Sequence, residues 1–535
     1  MKKASIGLYV QMGAGVQTIS TLKSFLDIGV KLGYEKLYLG IGESFKVKNQ
    51  PYYSYMRGRY EMAELKELNE YAKANGVEII PAIQTLGHCH TIPCYSHYGP
   101  IIDHHDVLLI DEEKTYEFLE DIISTISDIF GKCRLMIGGD EAHLLGAGKY
   151  YDKHGPYDRT EIFVRHLKRV IGIATKYDIA CAMWSDMLFK LETMNNYSED
   201  HGFVASNSLL NVLPKNLTIS HWTYGINDED NLRRILREHK RLTPNVMLAG
   251  GFNKWHGHSP NNTMSIKANK ILLSAANKEE IEEVIFTMWE DNGGEASIFS
   301  ILPAMFEAAI ENGNISREEA EKLFVETTGM TKDEYMIADY LDYPYFQEIK
   351  EIANCSFYYL YADPLLAIFH SMVTENVDKA FADYAAKVAK VKKGRFAYIF
   401  DVYEKLALVL EKKAKMGVNI KNAYKANDKE TLRKIATEDI PEVVKRLDVF
   451  FKAFDIRWKK ENMPGGFEIH CARIGAARYR MLYVSEVLLD YCDGKLEVIR
   501  DLEDETLPFT YVEGAKEDTY ALMCWNNIFT AGINW

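Results

Sequence analysis

Eight short apolar segments alternate with amphipathic stretches of helical length up to about residue 312, and this alternation constrains the fold more than any other feature. The segments are mostly apolar and each contains at least one β-branched residue, as is typical of strands buried on both faces of a parallel sheet. The predicted strands are Ser5–Val10, Lys36–Ile41, Val77–Ile83, Arg134–Ile137, Ile179–Met183, Leu217–His221, Val246–Leu248 and Glu283–Met288. Eight β/α units predict an α/β fold of the (β/α)8 TIM-barrel type. An open doubly wound sheet is the alternative, but no glycine-rich phosphate loop follows the first strand.

The character of the sequence changes after residue 315, where strand patterns give way to long helical ones. Helical periodicity is clear over residues 396–415, 429–456 and 467–491, and Pro464-Gly465-Gly466 interrupts it. A chain of 535 residues is also too long for one ordinary core. We therefore expect two domains, a catalytic (β/α)8 barrel over residues 1–315 and a mainly α-helical C-terminal domain over residues 316–535.

Composition restricts the partners and the compartment. The net charge of −14 argues against nucleic acid or an anionic membrane as a partner. No apolar run reaches the length of about 20 residues that a transmembrane helix needs, and the N-terminus lacks the apolar core of a signal peptide. Eight cysteines scattered over a long chain do not form a disulfide framework. We expect a cytoplasmic protein with reduced thiols, and its assembly stays open between a monomer and a homodimer.

The segment Arg134-Leu-Met-Ile-Gly-Gly-Asp-Glu-Ala-His143 ends an apolar strand with two adjacent carboxylates, Asp140 and Glu141. Neighbouring side chains of a strand point to opposite faces, so both can face one pocket only where the strand gives way to a loop. Two carboxylates held so close do not both ionise cheaply, and we expect the pKa of one to be raised. Glycoside hydrolysis uses such a pair. The simpler alternative is an acidic start to the next helix.

Residues that directly follow the strands form the active face of a (β/α)8 barrel. Here this rim collects three tryptophans, a tyrosine, a histidine and several carboxylates. Besides the carboxylate pair, the candidate site residues on the rim are Glu43, His88, Trp184, Trp222, Tyr224, Trp289 and Asp291. An aromatic box with acidic hydrogen-bonding groups suits a sugar ring.

The rim motifs resemble those of glycoside hydrolase family 20, the β-N-acetylhexosaminidases. Five motifs carry the resemblance in the family's order: Ile137-Gly-Gly-Asp-Glu141, Gln84-Thr-Leu-Gly-His88, Met183-Trp-Ser-Asp186, Trp222-Thr-Tyr224 and Trp289-Glu-Asp291. They span the whole barrel. The stretch Trp458–Phe467 and the ending Trp525–Ala531 look similar to the helical C-terminal region of the streptococcal cytosolic enzymes. The resemblance is therefore nearest to the hexosaminidase D-like and streptococcal cytosolic branch.

The resemblance implies a retaining mechanism in which the substrate's own 2-acetamido oxygen attacks the anomeric carbon and gives an oxazolinium ion. It implies that Glu141 is the acid and base, that Asp140 holds the acetamido N–H, and that Tyr224 donates to the acetamido oxygen. The implied substrate is a terminal β-linked GlcNAc or GalNAc of an oligosaccharide or glycoconjugate, cleaved in exo fashion. No cofactor and no metal are implied.

The remaining rim residues receive binding roles from the same resemblance. Three tryptophans would wall the sugar ring and the acetamido methyl group: Trp184, Trp222 and Trp289. Asp291 would bind sugar hydroxyls, and His88 would tune Glu141 through a hydrogen bond.

The chain departs from the family's pattern in hydroxyl recognition. The family commonly places an arginine at the end of the first strand, where this chain has Gln11-Met12-Gly13. Arg57 or Arg59 is a candidate substitute, although surface or helix-capping roles explain these residues equally well. Glu43 alone stands where the family has an acid pair after the second strand. The preference between GlcNAc and GalNAc therefore stays open.

Three other functions compete with this interpretation. A retaining glycosidase could use a carboxylate nucleophile on a later strand, for which Glu290 and Glu295 are candidates. A metal-dependent hydrolase could use the His88-Cys89-His90 segment with Cys94, 104–106 and His143, although these spacings match no structural zinc pattern. A catalytically inactive sugar-binding barrel is the third, and the intact Asp140–Glu141 pair argues against it.

Overall fold

The computed structural model describes residues 3–13, 15–193, 204, 209–210, 212–342 and 355–509. The ending Trp525–Ala531, part of the resemblance above, lies outside these residues. Within them, no helix is long and apolar enough to cross a membrane.

Eight parallel strands close into a barrel, in which each strand pairs with the next along the chain and the last pairs with the first. The strands are β1 Ser5–Gln11, β2 Lys36–Gly40, β3 Glu78–Ala82, β4 Arg134–Met136, β5 Ala180–Trp184, β6 Thr218–Trp222, β7 Val246–Gly251 and β8 Glu283–Met288. All eight predicted strands are present, which confirms the predicted (β/α)8 barrel. An antiparallel hairpin of Ile102–His104 and Val107–Leu108, which the sequence did not predict, lies in the loop after β3.

Helices follow the strands around the barrel. They are α1 Ile19–Lys31, α2 Met62–Ala74, α3 Glu113–Phe130, α4 Lys149–His154, α5 Arg159–Lys176, α6 Met187–Thr193, α7 Glu229–Leu242, α8 Asn262–Lys278 and α9 Leu302–Glu311. Their ends follow ordinary capping rules. Asp158, for example, accepts the backbone N–H groups of Thr160 and Glu161 at the start of α5.

Alternate residues of the strands fill the inside of the barrel. Aromatic and apolar side chains form this core: Tyr9, Tyr38, Ile80, Ala82, Met136, Ala182, Trp184, Met247, Ala249 and Ile285. Trp222 and Trp289 are only partly buried and pack against it. The barrel interior is therefore a packed core that ends in partly buried aromatic rings.

The amino ends of three strands are joined by charge. The Glu283 carboxylate accepts from Lys36 Nζ at 2.6 Å and from Arg134 Nη2 at 2.8 Å, and the Tyr38 hydroxyl also donates to it. These residues come from β8, β2 and β4, so one carboxylate ties together strands that are far apart in sequence.

The chain forms two compact units. The first comprises 1–252, 265–289 and 304–320, and the second comprises 253–264, 290–303 and 321–535. After residue 316 the described chain is helical: α10 Arg317–Thr328, α11 Lys332–Tyr335, α12 Cys355–Tyr361, α13 Val377–Val391, α14 Ala397–Lys413, α15 Met416–Lys425, α16 Lys429–Lys434, α17 Ile440–Glu461 and α18 Phe467–Cys492. This confirms the mainly helical C-terminal region. The domain boundary between residues 315 and 316 stays a prediction.

Buried charges organise the second unit. Arg473 of α18 pairs with Glu295 at 2.9 Å, and Arg457 of α17 donates to the Glu295 carbonyl oxygen at 2.6 Å. His470 lies 3.0 Å from the carbonyl oxygen of Gly293. The helices α17 and α18 thus hold the backbone of the segment 290–303, because buried carbonyl groups need hydrogen-bond donors.

Candidate active site

Two glycines turn the end of β4 so that both carboxylates face the same partner. Gly138 and Gly139 have φ values of +69° and +84°, and Glu141 itself has φ of +48°. Glycine adopts these values without steric cost, whereas a non-glycine residue there is uncommon and often functional. Asp140 and Glu141 therefore leave the strand together, as the sequence predicts.

His88, in the loop after β3, bridges the pair. Its Nε2 atom lies 3.4 Å from Asp140 Oδ2 and 3.5 Å from Glu141 Oε2. Burial alone would lower the pKa of His88, but its hydrogen bonds to Asp140 and Glu141 and their negative charges raise it to about 11. His88 is thus a cation that holds two carboxylates in one place.

Glu141 has a lowered pKa, so Glu141 is not the carboxyl group with a raised pKa that is expected in the pair from the sequence. The hydrogen bond from His88 and the positive charge of Lys190, whose Nζ is 3.6 Å from Oε1, bring the Glu141 pKa to about 2. Opposite charges within a few ångströms favour the ionised form of a carboxyl group. Like-charge repulsion between neighbours, the basis of the expectation, is outweighed here by two cations.

The raised pKa belongs to a third carboxylate, Asp186, two residues past the end of β5. Its side chain is fully buried, and burial, followed by the negative charge of Asp140, raises its pKa to about 7. Asp186 Oδ2 accepts the backbone N–H of Glu141 at 3.0 Å and lies 3.4 Å from Lys190 Nζ. Asp186 and Lys190 were missed as site residues. Asp186 was visible as the end of the Trp184-Ser-Asp186 motif, and Lys190 follows it at i,i+4 on α6.

Asp140 has its own support from the loop after β3. Gln84 Nε2 donates to Asp140 Oδ1 at 3.2 Å, while His88 approaches the other carboxylate oxygen. The Asp140 side chain is 15% exposed and that of Glu141 is 39% exposed. The more accessible Glu141 is therefore better placed to meet a leaving group, and Asp140 lies deeper.

Four aromatic rings from the ends of three strands, β5, β6 and β8, form the predicted box. The Trp184 and Trp289 rings lie 5.6 Å apart, and Trp222 stacks on Tyr224 at 5.5 Å with an interplanar angle of 17°. Trp289 Nε1 donates to the Tyr224 hydroxyl oxygen at 2.7 Å, which joins the two pairs. The structure thus brings Trp184, Trp222, Tyr224 and Trp289 together.

Tyr9 of β1 links this box to the carboxylates and was also missed from the sequence. Its ring lies 4.9 Å from that of Trp289 and 5.7 Å from that of Trp184. Burial and the negative charge of Asp140 raise the Tyr9 pKa well above its usual range. The carboxylate of Asp140 and the two tryptophans are thus neighbours of the same tyrosine.

Glu43 and Arg57 form a separate part of the rim. Glu43 Oε2 accepts from the Thr91 backbone N–H at 3.1 Å and from the Thr91 hydroxyl, and its Oε1 atom is buried with no hydrogen-bond partner among the described residues. Burial raises the Glu43 pKa to about 7, while the hydrogen bonds from the backbone at Thr91 and Ile92 and the positive charge of Arg57 oppose the rise. Arg57 is exposed in the loop between β2 and α2.

The later candidate carboxylates lie in the second unit. Asp291 is exposed and follows Trp289 by two residues. Glu290 pairs with Lys254 at 3.2 Å, and Glu295 pairs with Arg473 at 2.9 Å. Both of these glutamates are buried and engaged in ion pairs, which is unfavourable for a nucleophile that must reach a substrate.

Some of the residues that the metal-dependent hydrolase alternative would use lie close together. His88, His90 and Asp106 place one ligand atom each within 4.8 Å of one another. Cys89, between the two histidines, is buried, and its Sγ contacts the carbonyl oxygen of Gly87 at 3.5 Å. The two histidines thus offer ring nitrogens to one place, whereas the thiol between them contacts the backbone.

A closed (β/α)8 barrel with paired carboxylates and an aromatic box at the carboxyl ends of its strands defines the class of TIM-barrel glycoside hydrolases. Two family models match the chain: the catalytic domain of glycosyl hydrolase family 20 over residues 41–242, and the Glycoside Hydrolase 20C C-terminal domain over residues 333–521. Both models describe domains of glycoside hydrolase family 20, and the chain is similar to this family over those two segments.

Curated relatives and solved structures are similar to parts of the chain. The β-hexosaminidase α subunit of Rattus norvegicus is 24% identical over 24% of this chain and 27% of its own length, and that of Mus musculus is 23% identical over the same shares. The chain thus spans about a quarter of these relatives. A GH20 exo β-N-acetylglucosaminidase structure from Vibrio harveyi has 14% identity and a TM-score of 0.44, covering 61% of this chain and 58% of the other. A β-N-acetylhexosaminidase structure from Bacteroides fragilis has 18% identity and a TM-score of 0.45, covering 61% and 69%.

Proposed function

We propose that the protein is an exo-acting, retaining β-N-acetylhexosaminidase that removes terminal β-linked GlcNAc or GalNAc by substrate-assisted catalysis. The observation that carries the proposal is the arrangement around Tyr9, whose ring contacts Trp184 and Trp289 and which is close enough to Asp140 for that carboxylate, after burial, to raise the Tyr9 pKa. It brings a carboxylate to an aromatic box that already contains the Tyr224 hydroxyl group.

Tyr224 and Asp140 would hold the acetamido group. The hydrogen bond from Trp289 Nε1 holds the Tyr224 hydroxyl group in the aromatic box, where it would donate its proton to the acetamido oxygen. Asp140 would accept the acetamido N–H and stabilise the positive charge that develops as the acetamido oxygen attacks the anomeric carbon. The methyl group and the ring would lie against the tryptophans.

Glu141 would transfer the proton. Its carboxyl group would protonate the leaving oxygen as the glycosidic bond breaks, and it would then take a proton from the water that opens the oxazolinium ion. Glu141 is ionised in the structure, but protonated His88 lies 3.5 Å from its Oε2 atom. A glycoside that covers the exposed Glu141 would exclude water, which raises the pKa of a carboxyl group and favours proton transfer from His88.

The same sites support the remaining parts of the proposal. Glu43, one oxygen of which has no hydrogen-bond partner in the part of the chain that the structure describes, and Arg57 would bind sugar hydroxyls. Asp291, in the segment after β8, would bind them too. The match to the 20C C-terminal domain supports the streptococcal cytosolic and hexosaminidase D-like branch, and the scattered cysteines support a cytoplasmic location. Catalysis by this route requires no metal and no cofactor.

A panel of nitrophenyl glycosides tests the proposal. We expect cleavage of the β-GlcNAc substrate, the β-GalNAc substrate or both, and at least about 100-fold slower cleavage of the β-glucoside and β-galactoside, which lack the acetamido nucleophile. A thiazoline analogue of the oxazolinium ion should inhibit strongly because it resembles the intermediate. Equal rates on the plain glucoside would favour the carboxylate-nucleophile alternative instead.

A further inference from the structure

The loop after β3 brings three metal-binding side chains to one point beside the catalytic carboxylates. His90 Nδ1 lies 3.4 Å from Asp106 Oδ2, and His88 offers a ring nitrogen within 4.8 Å of both ligand atoms. Two ligands that bind one tetrahedral Zn²⁺ ion at about 2.0–2.1 Å are roughly 3.4 Å apart. The His90–Asp106 pair thus already has the spacing of two zinc ligands.

Backbone hydrogen bonds fix the two segments that supply these side chains. The N–H of Cys89, between the two histidines, donates to the Asp106 carbonyl oxygen at 3.0 Å, and the Leu108 N–H donates to the Leu86 carbonyl oxygen at 2.8 Å. The second oxygen of Asp106 lies 3.1 Å from His105 Nδ1. A neighbouring group that orients a ligand carboxylate is typical of metal sites and increases affinity. The three side chains are therefore held by the fold and do not meet only by side-chain rotation.

We propose that His88, His90 and Asp106 form an inhibitory binding site for a divalent transition metal ion, for which Zn²⁺ is the probe. Two imidazoles and one carboxylate suit zinc, and water completes the coordination. The carboxylates of Asp140 and Glu141, next to His88, add negative charge that attracts a dication.

Inhibition follows from the double use of His88. The same imidazole that would bind the metal carries the proton shared with Asp140 and Glu141. A metal ion on His88 takes the place of one of the two imidazolium protons, so the ring keeps at most one N–H and no longer has the acidic proton that the proposed mechanism passes to Glu141. The inhibitory effect rests on the proposed function, whereas metal binding itself does not.

Metal binding is measured first, independently of activity. The full-length protein, freed of metal by EDTA and dialysed, is titrated with Zn²⁺ by isothermal calorimetry, and the visible absorption of added Co²⁺ reports the ligand geometry. We expect one equivalent of Zn²⁺ to bind to the wild-type protein.

His90→Ala should weaken Zn²⁺ binding at least tenfold, because it removes one of three ligands while leaving His88 in place. Asp106→Asn provides a second ligand variant. His97→Ala, an exposed histidine of the same loop, is the matched control and should bind as the wild type does.

Activity is measured in parallel on the nitrophenyl N-acetylhexosaminide that the protein cleaves. Without metal, His90→Ala should keep the wild-type rate within about twofold. Added Zn²⁺ should inhibit the wild type and His97→Ala, and the midpoint for His90→Ala should move at least tenfold higher.

The proposal is overturned if calorimetry shows no binding, or if His90→Ala and His97→Ala bind and respond to zinc alike. Loss of activity in EDTA that zinc restores would also overturn it, because the metal would then be an activator. A protein that binds zinc at His90 but cleaves no N-acetylhexosaminide would instead show that the proposed function has failed.

Discussion

Asp140 and Glu141 share His88 as a cationic partner, yet their surroundings differ enough to separate their roles. Glu141 is more exposed and is paired with Lys190, while Asp140 lies deeper, beside Gln84 and Tyr9. Glu141 is therefore suited to proton transfer and Asp140 to the stabilisation of positive charge.

Removal of the Glu141 carboxyl group should affect substrates according to their leaving groups. Glu141→Gln keeps the shape but cannot donate or accept the proton, so we expect a loss of about 10²–10⁴-fold on an oligosaccharide. The loss of rate in the bond-cleavage step should be smaller on nitrophenyl substrates, because nitrophenolate is a good leaving group that needs little protonation. Rates on both substrates measure the effect, and the exposed Glu113→Gln on α3 is the control. Full activity of Glu141→Gln on the oligosaccharide would move the acid role to another carboxylate.

Asp140→Asn should lower kcat much more than it raises KM. The charge that Asp140 would stabilise develops only on the way to the oxazolinium ion, so its loss acts on the transition state, by about 10²–10³-fold. Tyr224→Phe removes one neutral hydrogen bond and should cost about tenfold. Steady-state kinetics of both variants on the cleaved nitrophenyl substrate provide the test. An increase in KM alone for Asp140→Asn would identify Asp140 as a binding group or a helix-capping residue.

Buried Asp186 should make the stability of the barrel depend on pH. Its pKa is raised by burial to about 7, so the folded protein binds this proton more tightly than the unfolded chain does. The stability contribution is therefore present in acid and is lost as the pH rises through about 7. The stability of Asp186→Asn minus that of the wild type should therefore be more favourable at pH 9 than at pH 5. Thermal unfolding midpoints across this range test it, with the exposed Asp152→Asn as control. A difference independent of pH would contradict the assignment.

The strands and the residues at their ends could be predicted, because a short stretch of sequence is enough to indicate each of them. The β-branched runs, the Gly138-Gly139 pair and the tryptophans at the ends of β5, β6 and β8 are all visible within a few residues of sequence. Tyr9 could not be identified, because β1 is apolar on both faces and alternation gives no contrast. The directions of the pKa shifts could not be predicted either, because Lys190 lies on α6 and Glu141 lies in the loop after β4. Only the structure shows that the two side chains are close.

The turn after β4 should tolerate no side chain at its first glycine. A Cβ atom on Gly138 would lie 2.0 Å from Gln84 Oε1 and 3.0 Å from the Ile83 carbonyl oxygen. Gly138→Ala would therefore displace Gln84 from Asp140, and we expect at least a tenfold loss of kcat together with about 1–2 kcal/mol from the positive φ. Gly76→Ala is the matched control, since Gly76 has φ of +76° but nothing within 4 Å of its Cβ position.

Activity and the thermal midpoint distinguish the two glycine variants. Both should lose stability through the backbone, and only Gly138→Ala should lose activity per folded molecule. Equal activity of the two would show that Gln84 does not position Asp140.

At the scale of the whole molecule, the barrel separates chemistry from stability along its axis. The candidate catalytic groups follow the carboxyl ends of the strands, whereas the Glu283 cluster with Lys36 and Arg134 lies at the amino ends. The loops at the carboxyl ends can change without disturbing the ion pairs at the amino ends, because the two ends share no residues.

Glu283→Gln should therefore destabilise the protein without changing its chemistry. The side chain is 10% exposed, and removal of its charge leaves Lys36 and Arg134 without their shared partner, at a cost of about 2–3 kcal/mol. The positive charges of Arg134 and Lys36 lower the Glu283 pKa against the opposing effect of burial, so this stabilisation is present at neutral pH and is lost as the pH falls through the acid range. The difference in thermal midpoint between wild type and variant should thus be several degrees at pH 7 and should shrink in acid.

Glu67→Gln, which breaks the exposed pair with Lys23, should change stability by no more than about 0.5 kcal/mol. Because Glu283 lies at the end of the barrel opposite to Asp140 and Glu141, kcat and KM at 25 °C should stay at wild-type values. A large fall in kcat for folded Glu283→Gln would show that the two ends of the barrel are coupled.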